Sequence, residues 1–348
     1  MAGNPSWMFP GDVLKPESMQ ILLTGATGLL GGNLARLLAS RNYGRLRVLA
    51  RKTSNRAALQ GLEHELFEGD IRDREAMERA AQGCEAVFHC AASVSQWRPN
   101  LAEMRAINIE GTVNVLAAAL AAGARRVVYV STVDTLGLSS REAPADESAE
   151  HASLAAFRNP YVDTKYEAEQ RALAFLDRGL DLVIVKPTFM IGEWDVKPTS
   201  GQMTVQVARG RAPAYPGGGN NFVDVLDVAA GMVLALEKGR RGESYILANA
   251  EGNLTYQDFF TLVARTAGVR PPRFRIPFPV AVGAGYLFDA VGRLAGFEPD
   301  VNSVTARMGY AAHYFTPAKA IRELGLPQSP LLGAVRRSLD WFRANNMV

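Results

Sequence analysis

QILLTGATGLLGGNLARLLAS, residues 20–40, is the stretch on which the fold turns. A short apolar run from Gln20 to Thr24 stops at Gly25, and from Leu29 to Ser40 leucines recur at helical spacing. This reads as strand, tight turn, helix. Gly25, Gly28 and Gly31 sit at the junction in the pattern GxxGxxG. The first permits the turn, the second lets a pyrophosphate approach the backbone, and the third allows close helix–strand packing. The start of the helix adds free N–H groups and the positive end of its dipole. Glycines that merely turn the chain are the bland alternative; the strand before and the helix after argue against it.

Outward from this stretch the same alternation repeats. Strands are expected at Leu46–Ala50, Glu65–Glu68, Ala86–Cys90, Arg126–Ser131 and Asp181–Lys186, with helices at Asp73–Ala81, Leu101–Ala122 and Pro160–Asp177. Alternating strands and helices imply βαβ units and a parallel sheet covered on both faces. The predicted class is α/β, a doubly wound sheet of six to seven strands with a smaller, mainly helical C-terminal lobe. Residues 19–187 and 221–249, including a helix at Val225–Glu237 and a strand at Ser244–Leu247, are assigned to the dinucleotide-binding domain. Residues 188–220 and 250–348 are assigned to a substrate lobe, with clear helices at Tyr256–Thr266 and Leu331–Ala344.

Composition narrows the function. At roughly 150 residues per domain, 348 residues suggest two lobes, and 48% apolar with 21% charged residues describe a globular chain. A net charge of +3 without blocks of like charge gives no footprint for nucleic acid. Two cysteines, Cys84 and Cys90, fit neither a disulfide framework nor a zinc site, and the four histidines form no metal-ligating cluster. A reducing, cytoplasmic setting is expected. Residues 1–18 lack a signal-peptide pattern and read as a mobile extension. Ile276–Phe288 is uncharged but too short to span a bilayer. It reads first as a buried or substrate-facing helix and second as a peripheral membrane contact.

An NAD site would place an acid at the end of the second strand; here stand Arg51 and Lys52, with no acid before Glu63. A guanidinium pairs with a 2′-phosphate, so NADP(H) is favoured and NAD(H) is the alternative. After the third strand, Asp70 can accept from an adenine amino group while Ile71 packs on the ring. Ala91 and Ala92, after the fourth, leave room for the cofactor. His89 and Cys90 read as interior packing.

Of ten tyrosines only Tyr161 has a lysine four residues on, Lys165, and on a helix the two share a face. A phenol that ordinarily titrates near pH 10 needs a neighbouring ammonium to exchange protons near neutrality. Ser131 and Thr132 end the fifth strand, where one hydroxyl can bond a substrate oxygen. Strand alternation puts them on opposite faces, so one is catalytic and the other structural.

Together TGATGLLG, GDIRD (69–73), FHCAA (88–92), NIEGTVNVL (108–116), VYVST (128–132), YVDTK (161–165) and VKPTFMIG (185–192) resemble the extended short-chain dehydrogenase/reductase family from about residue 20 onward. The resemblance implies that Thr27, Leu29, Leu30, Ser131, Pro187 and Thr188 join the glycines, Tyr161 and Lys165 around the cofactor. Counting back from Gly137, it implies Thr132 as the catalytic hydroxyl. The sequence is more similar to the dihydroflavonol reductase and 3β-hydroxysteroid dehydrogenase branch, which includes the hopanoid-associated sugar epimerases, than to nucleotide-sugar enzymes. Lys186–Met190 holds no diphosphate-binding Asn, Asn221 replaces an expected Arg, and FRIPFPVAVGAGYLF (274–288) is apolar.

The expected activity is interconversion of a secondary alcohol and a ketone on an apolar molecule such as a steroid, triterpenoid or polyketide-like ketone. The rivals are an epimerase or dehydratase that recycles its hydride, and a non-catalytic dinucleotide-binding regulator. A single acid after Thr132, Asp134, argues against dehydration. The resemblance also implies a homodimer through Leu101–Ala122 and Pro160–Asp177.

Overall fold

The computed structural model describes residues 19–149, 159–198 and 200–348. The extension foreseen at 1–18 lies outside these residues. Along the chain run β1 (Gln20–Thr24), α1 (Leu29–Ser40), β2 (Arg45–Ala50), β3 (Glu65–Glu68), α2 (Arg74–Ala81), β4 (Ala86–His89), α3 (Leu101–Arg105) and α4 (Gly111–Ala121). Then come β5 (Arg126–Val130), α5 (Pro160–Asp177), β6 (Leu182–Pro187), β7 (Phe189–Ile191), α6 (Gln202–Ala208), β8 (Ala214–Tyr215), β9 (Gly219–Asp224), α7 (Val225–Lys238) and β10 (Ser244–Leu247). The chain closes with β11 (Asn253–Thr255), α8 (Tyr256–Ala267), β12 (Phe274–Arg275), α9 (Phe278–Ala295), α10 (Ser303–Met308), β13 (Ala312–His313), α11 (Ala318–Leu324) and α12 (Leu331–Ala344).

Seven of these strands form one parallel sheet in the order β10-β6-β5-β4-β1-β2-β3, the doubly wound arrangement expected from the sequence. Its apolar side chains feed two cores. On one face Leu23, Val48, Phe88 and Val185 meet α1 and α7. On the other Leu22, Val87, Val127 and Ile184 meet α2, α4 and α5. The strand order reverses between β1 and β4, so the crevice beyond their carboxyl ends is where such a sheet binds ligands.

A second sheet joins residues far apart in sequence. β9 pairs with β7 in parallel, with β11 antiparallel and with β13 in parallel. Asn221, fully buried in β9, ties this sheet together. Its Nδ2 donates to the Asn249 carbonyl and to Asn253 Oδ1, at 2.8 and 2.9 Å, while its Oδ1 accepts from Thr188 Oγ1 at 3.0 Å.

Two segments depart from the sequence reading. The helix expected over Leu101–Ala122 is interrupted by one turn of π-helix at Ala106–Glu110. Its apolar rhythm continues through the wider turn, so periodicity does not reveal it, and the turn sets Asn108 facing inward. The helix expected to be buried or substrate-facing begins at Phe278 and turns its bulky side chains outward. Its buried positions are only Gly285, Asp289 and Gly292. A Cβ at Gly285 would meet Ser303 Cα at 2.8 Å, so the helix packs on α10 through its small residues.

Candidate active site

The glycine-rich loop leaves β1 with Gly25 at φ +77°, and a Cβ there would lie 2.5 Å from the Ala91 nitrogen. A Cβ at Gly31 would lie 2.3 Å from the Gly25 carbonyl oxygen. Gly28 differs: its added Cβ would meet only the Gly25 oxygen, at 3.5 Å. Gly28 is also the N-cap of α1 and brings no side-chain acceptor, nor does the first turn carry an acid. The N–H groups of Leu29, Leu30 and Gly31 therefore have no intrahelical partner and face the side that Gly28 leaves open, beside Thr27. This cradle fits a dinucleotide pyrophosphate.

Around it, Arg51 and Lys52 are exposed just past β2. The nearby Glu68 is engaged by Arg56 at 2.7 Å. Asp70 accepts from the Arg72 side chain at 2.7 and 3.0 Å, and these hydrogen bonds hold its carboxyl below the usual carboxylate range. Ile71 is buried against Gly111. Ala91 and Ala92 are half-buried after β4, and Pro187 and Thr188 are buried at the end of β6. Thr188 is already bonded to Asn221.

Tyr161 and Lys165 share one face of α5, whose first turn is capped by Asn159 Oδ1 accepting from the Tyr161 N–H. The Tyr161 phenol lies beside the Thr132 hydroxyl. Burial pushes it well above its ordinary value, the Asp134 charge adds to that shift, and the Thr132 hydroxyl opposes it. The two neighbouring hydroxyls have separate partners. Ser131 Oγ donates inward to Glu169 Oε2 at 2.5 Å, whereas Thr132 Oγ1 accepts from the Asp134 N–H at 3.2 Å. Asp134 Oδ1 also pairs with His313 Nδ1 at 3.1 Å. His313 comes from the second sheet, and no local spacing announces it.

Lys165 is buried, and its Nζ donates to Tyr129 Oη at 3.0 Å and to the Val130 carbonyl at 2.8 Å. Burial pushes its ammonium down to about 7, with the Glu169 carboxylate acting in the opposite direction. Tyr129 lies beside Thr112, Thr112 Oγ1 lies 2.9 Å from His89 Nε2, and His89 Nδ1 lies 2.8 Å from Thr24 Oγ1. A buried polar chain thus links Lys165 to the base of the glycine loop. Burial pushes His89 down to about 3 and the Cys90 thiol up to about 12, so the ring is neutral and the thiol protonated.

Sequence reasoning missed two further features. Lys186 and Glu169 form a buried ion pair at 2.5 Å, and the Lys186 Nζ also donates to Thr135 Oγ1 at 2.6 Å. The second feature is Asn108. Its Oδ1 accepts from the Ser93 N–H at 2.7 Å, and its Nδ2 donates to the Ser93 carbonyl and to Thr164 Oγ1, both at 3.0 Å. It thereby holds the loop after β4 against α5. The only sequence signal for Glu169 is that it stands one turn beyond Lys165 on the same helix face.

Known proteins match this chain over nearly its whole length. A sterol demethylase protein B of Methylococcus capsulatus is 33% identical, covering 95% of this chain and 100% of that protein. A 4-hydroxy-2-methyl-3-oxo-4-farnesyl-3,4-dihydroquinoline-1-oxide ketoreductase of Stigmatella aurantiaca is 32% identical over 79% of this chain and 81% of its own. The crystal structure of gox2253 superposes with a TM-score of 0.82 at 38% identity, covering 94% of this chain and 99% of that one. Residues 21–248 match the family described as NAD dependent epimerase/dehydratase. With the seven-stranded sheet, the glycine loop and the Tyr161–Lys165 pair in place, the chain belongs to that family, the extended short-chain dehydrogenases/reductases.

Proposed function

We propose that this protein is an NADP(H)-preferring oxidoreductase that interconverts a secondary alcohol and a ketone on a mainly apolar small molecule. The observation that carries the reading is the Tyr161–Lys165 pair on one face of α5, with the Thr132 hydroxyl beside the phenol and the glycine cradle at the same end of the sheet.

Gly25 to Gly31 would hold the pyrophosphate and Arg51 the 2′-phosphate, with Lys52 beside it. When bound, the reduced nicotinamide supplies a hydride to the carbonyl carbon. Tyr161, kept protonated by burial, gives its phenolic proton to the carbonyl oxygen while the Thr132 hydroxyl orients that oxygen. Lys165 places positive charge behind the phenol and offsets the negative charge left on it. Ser131, committed to Glu169, serves as a structural hydroxyl on this reading.

Arg51 at the end of the second strand, where an NAD site would carry an acid, supports NADP(H). An apolar substrate is supported by the names of the sterol and farnesyl-quinoline relatives. Asn221 supports it too: this side chain is spent on the second sheet and offers no cation to a diphosphate. A homodimer through α3 to α5 is the quaternary state that goes with the reading.

The test is a fluorescence titration of cofactor-stripped protein with NADPH and NADH, followed by reduced-nicotinamide absorbance over a panel of apolar ketones. Tighter NADPH binding and consumption with one ketone are expected. Tightly retained cofactor with no net consumption on any ketone would replace this reading with the second one, an epimerase that recycles its hydride, which the family description favours.

A further inference from the structure

Helix α9 is built inside out. Its small residues Gly285 and Gly292 face the protein, and its bulky ones face away. Ten of the fifteen exposed large apolar side chains among the described residues fall between Phe274 and Val301. Leu294 is 90% exposed, Phe274 71%, Leu287 63% and Val280 60%. An ordinary solvated face would carry charge at these positions, and a contiguous apolar face of this kind marks an interaction site.

Charge decides what covers it. From Arg265 to Val301 the chain holds five arginines (Arg265, Arg270, Arg273, Arg275, Arg293), all exposed, and three acids: Asp289 in the helix, and Glu298 and Asp300, both exposed, after it. Asp289 is buried and accepts from the Ser303 N–H. Four of the five arginines lie between Arg265 and Arg275 with no acid among them, so positive charge gathers where the exposed apolar stretch begins and the exposed acids stand at its other end. An anionic lipid surface satisfies both features: headgroups take the arginines and acyl chains take the leucines and phenylalanines. The helix is 18 residues long, about 27 Å at 1.5 Å per residue, and can lie along an interface over its full length. Among the described residues no helix is long and apolar enough to cross a membrane.

We propose that α9, with the Arg270–Arg275 segment before it, is a monotopic contact with an anionic bilayer. This inference stands independently of the redox reading. The test is co-sedimentation of the full chain with vesicles of phosphatidylcholine containing one third phosphatidylglycerol, and with vesicles of phosphatidylcholine alone. Binding to the anionic vesicles, weakened by high salt, is expected. Leu287→Glu/Leu294→Glu should cut the bound fraction about tenfold or more, and Arg270→Gln/Arg273→Gln should cut it several-fold on anionic vesicles only. Unchanged thermal melting shows that either variant is folded. No binding to anionic vesicles, equal binding to both vesicle types, or undiminished binding by the leucine variant would each overturn the proposal. So would a dimer, seen by light scattering, that the leucine variant dissolves while vesicles bind nothing; that result would assign the face to a second copy.

Discussion

Helices α5 and α9 have the same length, 18 residues, and each has a proline within its first two positions, yet they are arranged in opposite ways. α5 buries Lys165 and Glu169; α9 exposes leucines and phenylalanines and buries glycines. The difference lies in what each helix packs against. α5 faces strands that present Ser131, the Val130 carbonyl, Tyr129 and Lys186, a polar lining in which buried charges find partners. α9 faces the capped start of α10, where only a small residue fits. Amphipathic spacing reports that a helix has two faces, and the neighbour selects which one turns inward.

Four expectations break or sharpen this contrast. The largest belongs to the inner face of α5: Tyr161→Phe should lower turnover about 10³-fold while leaving the affinity for NADPH unchanged. Turnover within tenfold of wild type would remove Tyr161 from the chemistry. Next comes Glu169→Leu, which strands the Lys186 ammonium in the core and should cost about 3–5 kcal/mol in urea unfolding. Glu169→Leu/Lys186→Met should recover most of that loss, and if the double variant stays as unstable as the single one, the pair is not what the stability depends on.

A third expectation concerns pH. Lys165 is held at about 7, against about 10.4 in an unfolded chain, so between these values the unfolded state binds the additional proton. Stability of the cofactor-free protein therefore rises with pH across that window, and the penalty is fully present below pH 7. Lys165→Met should flatten the slope, with the variant's advantage greatest near pH 6 and smaller by on the order of 3 kcal/mol near pH 10. Parallel slopes for the two proteins would mean that burial does not depress this ammonium. The smallest effect is on the outer helix: Leu294→Lys should change stability by no more than about 0.5 kcal/mol, because its side chain loses no contact. A loss of several kcal/mol would show that α9 is covered in the folded protein.

The parts legible in the sequence were those whose signal is local. The strand–glycine–helix junction, the parallel order and the Tyr161–Lys165 spacing all lie within about thirty residues of chain and follow from periodicity. The second sheet was not legible: strands of two to six residues drawn from residues 189, 219, 253 and 312 onward are too short to show alternation and pair only in the folded chain. Glu169 and Lys186 are unremarkable one at a time, and their pairing depends on α5 crossing β6. His313 meets Asp134 across 179 residues of sequence. The outward turn of α9 was hidden for a different reason, because its sequence is apolar or small on both faces.

The chain of side chains from Lys165 to Thr24 has a direction. An ammonium can only donate, so the Tyr129 oxygen accepts from it, which leaves the phenolic hydrogen free to turn to Thr112. In that order the threonine hydrogen points at His89 Nε2 and Nδ1 keeps the proton that it shares with Thr24; with Thr112 donating to Tyr129 instead, the imidazole proton sits on Nε2. When Lys165 gives up its proton, its nitrogen can accept from the Tyr129 hydroxyl, and the second order is favoured. The tautomer of a neutral imidazole at the foot of the nucleotide loop is therefore a gauge of the charge on Lys165. The nitrogen chemical shifts of His89 should register that charge across two strands of the sheet.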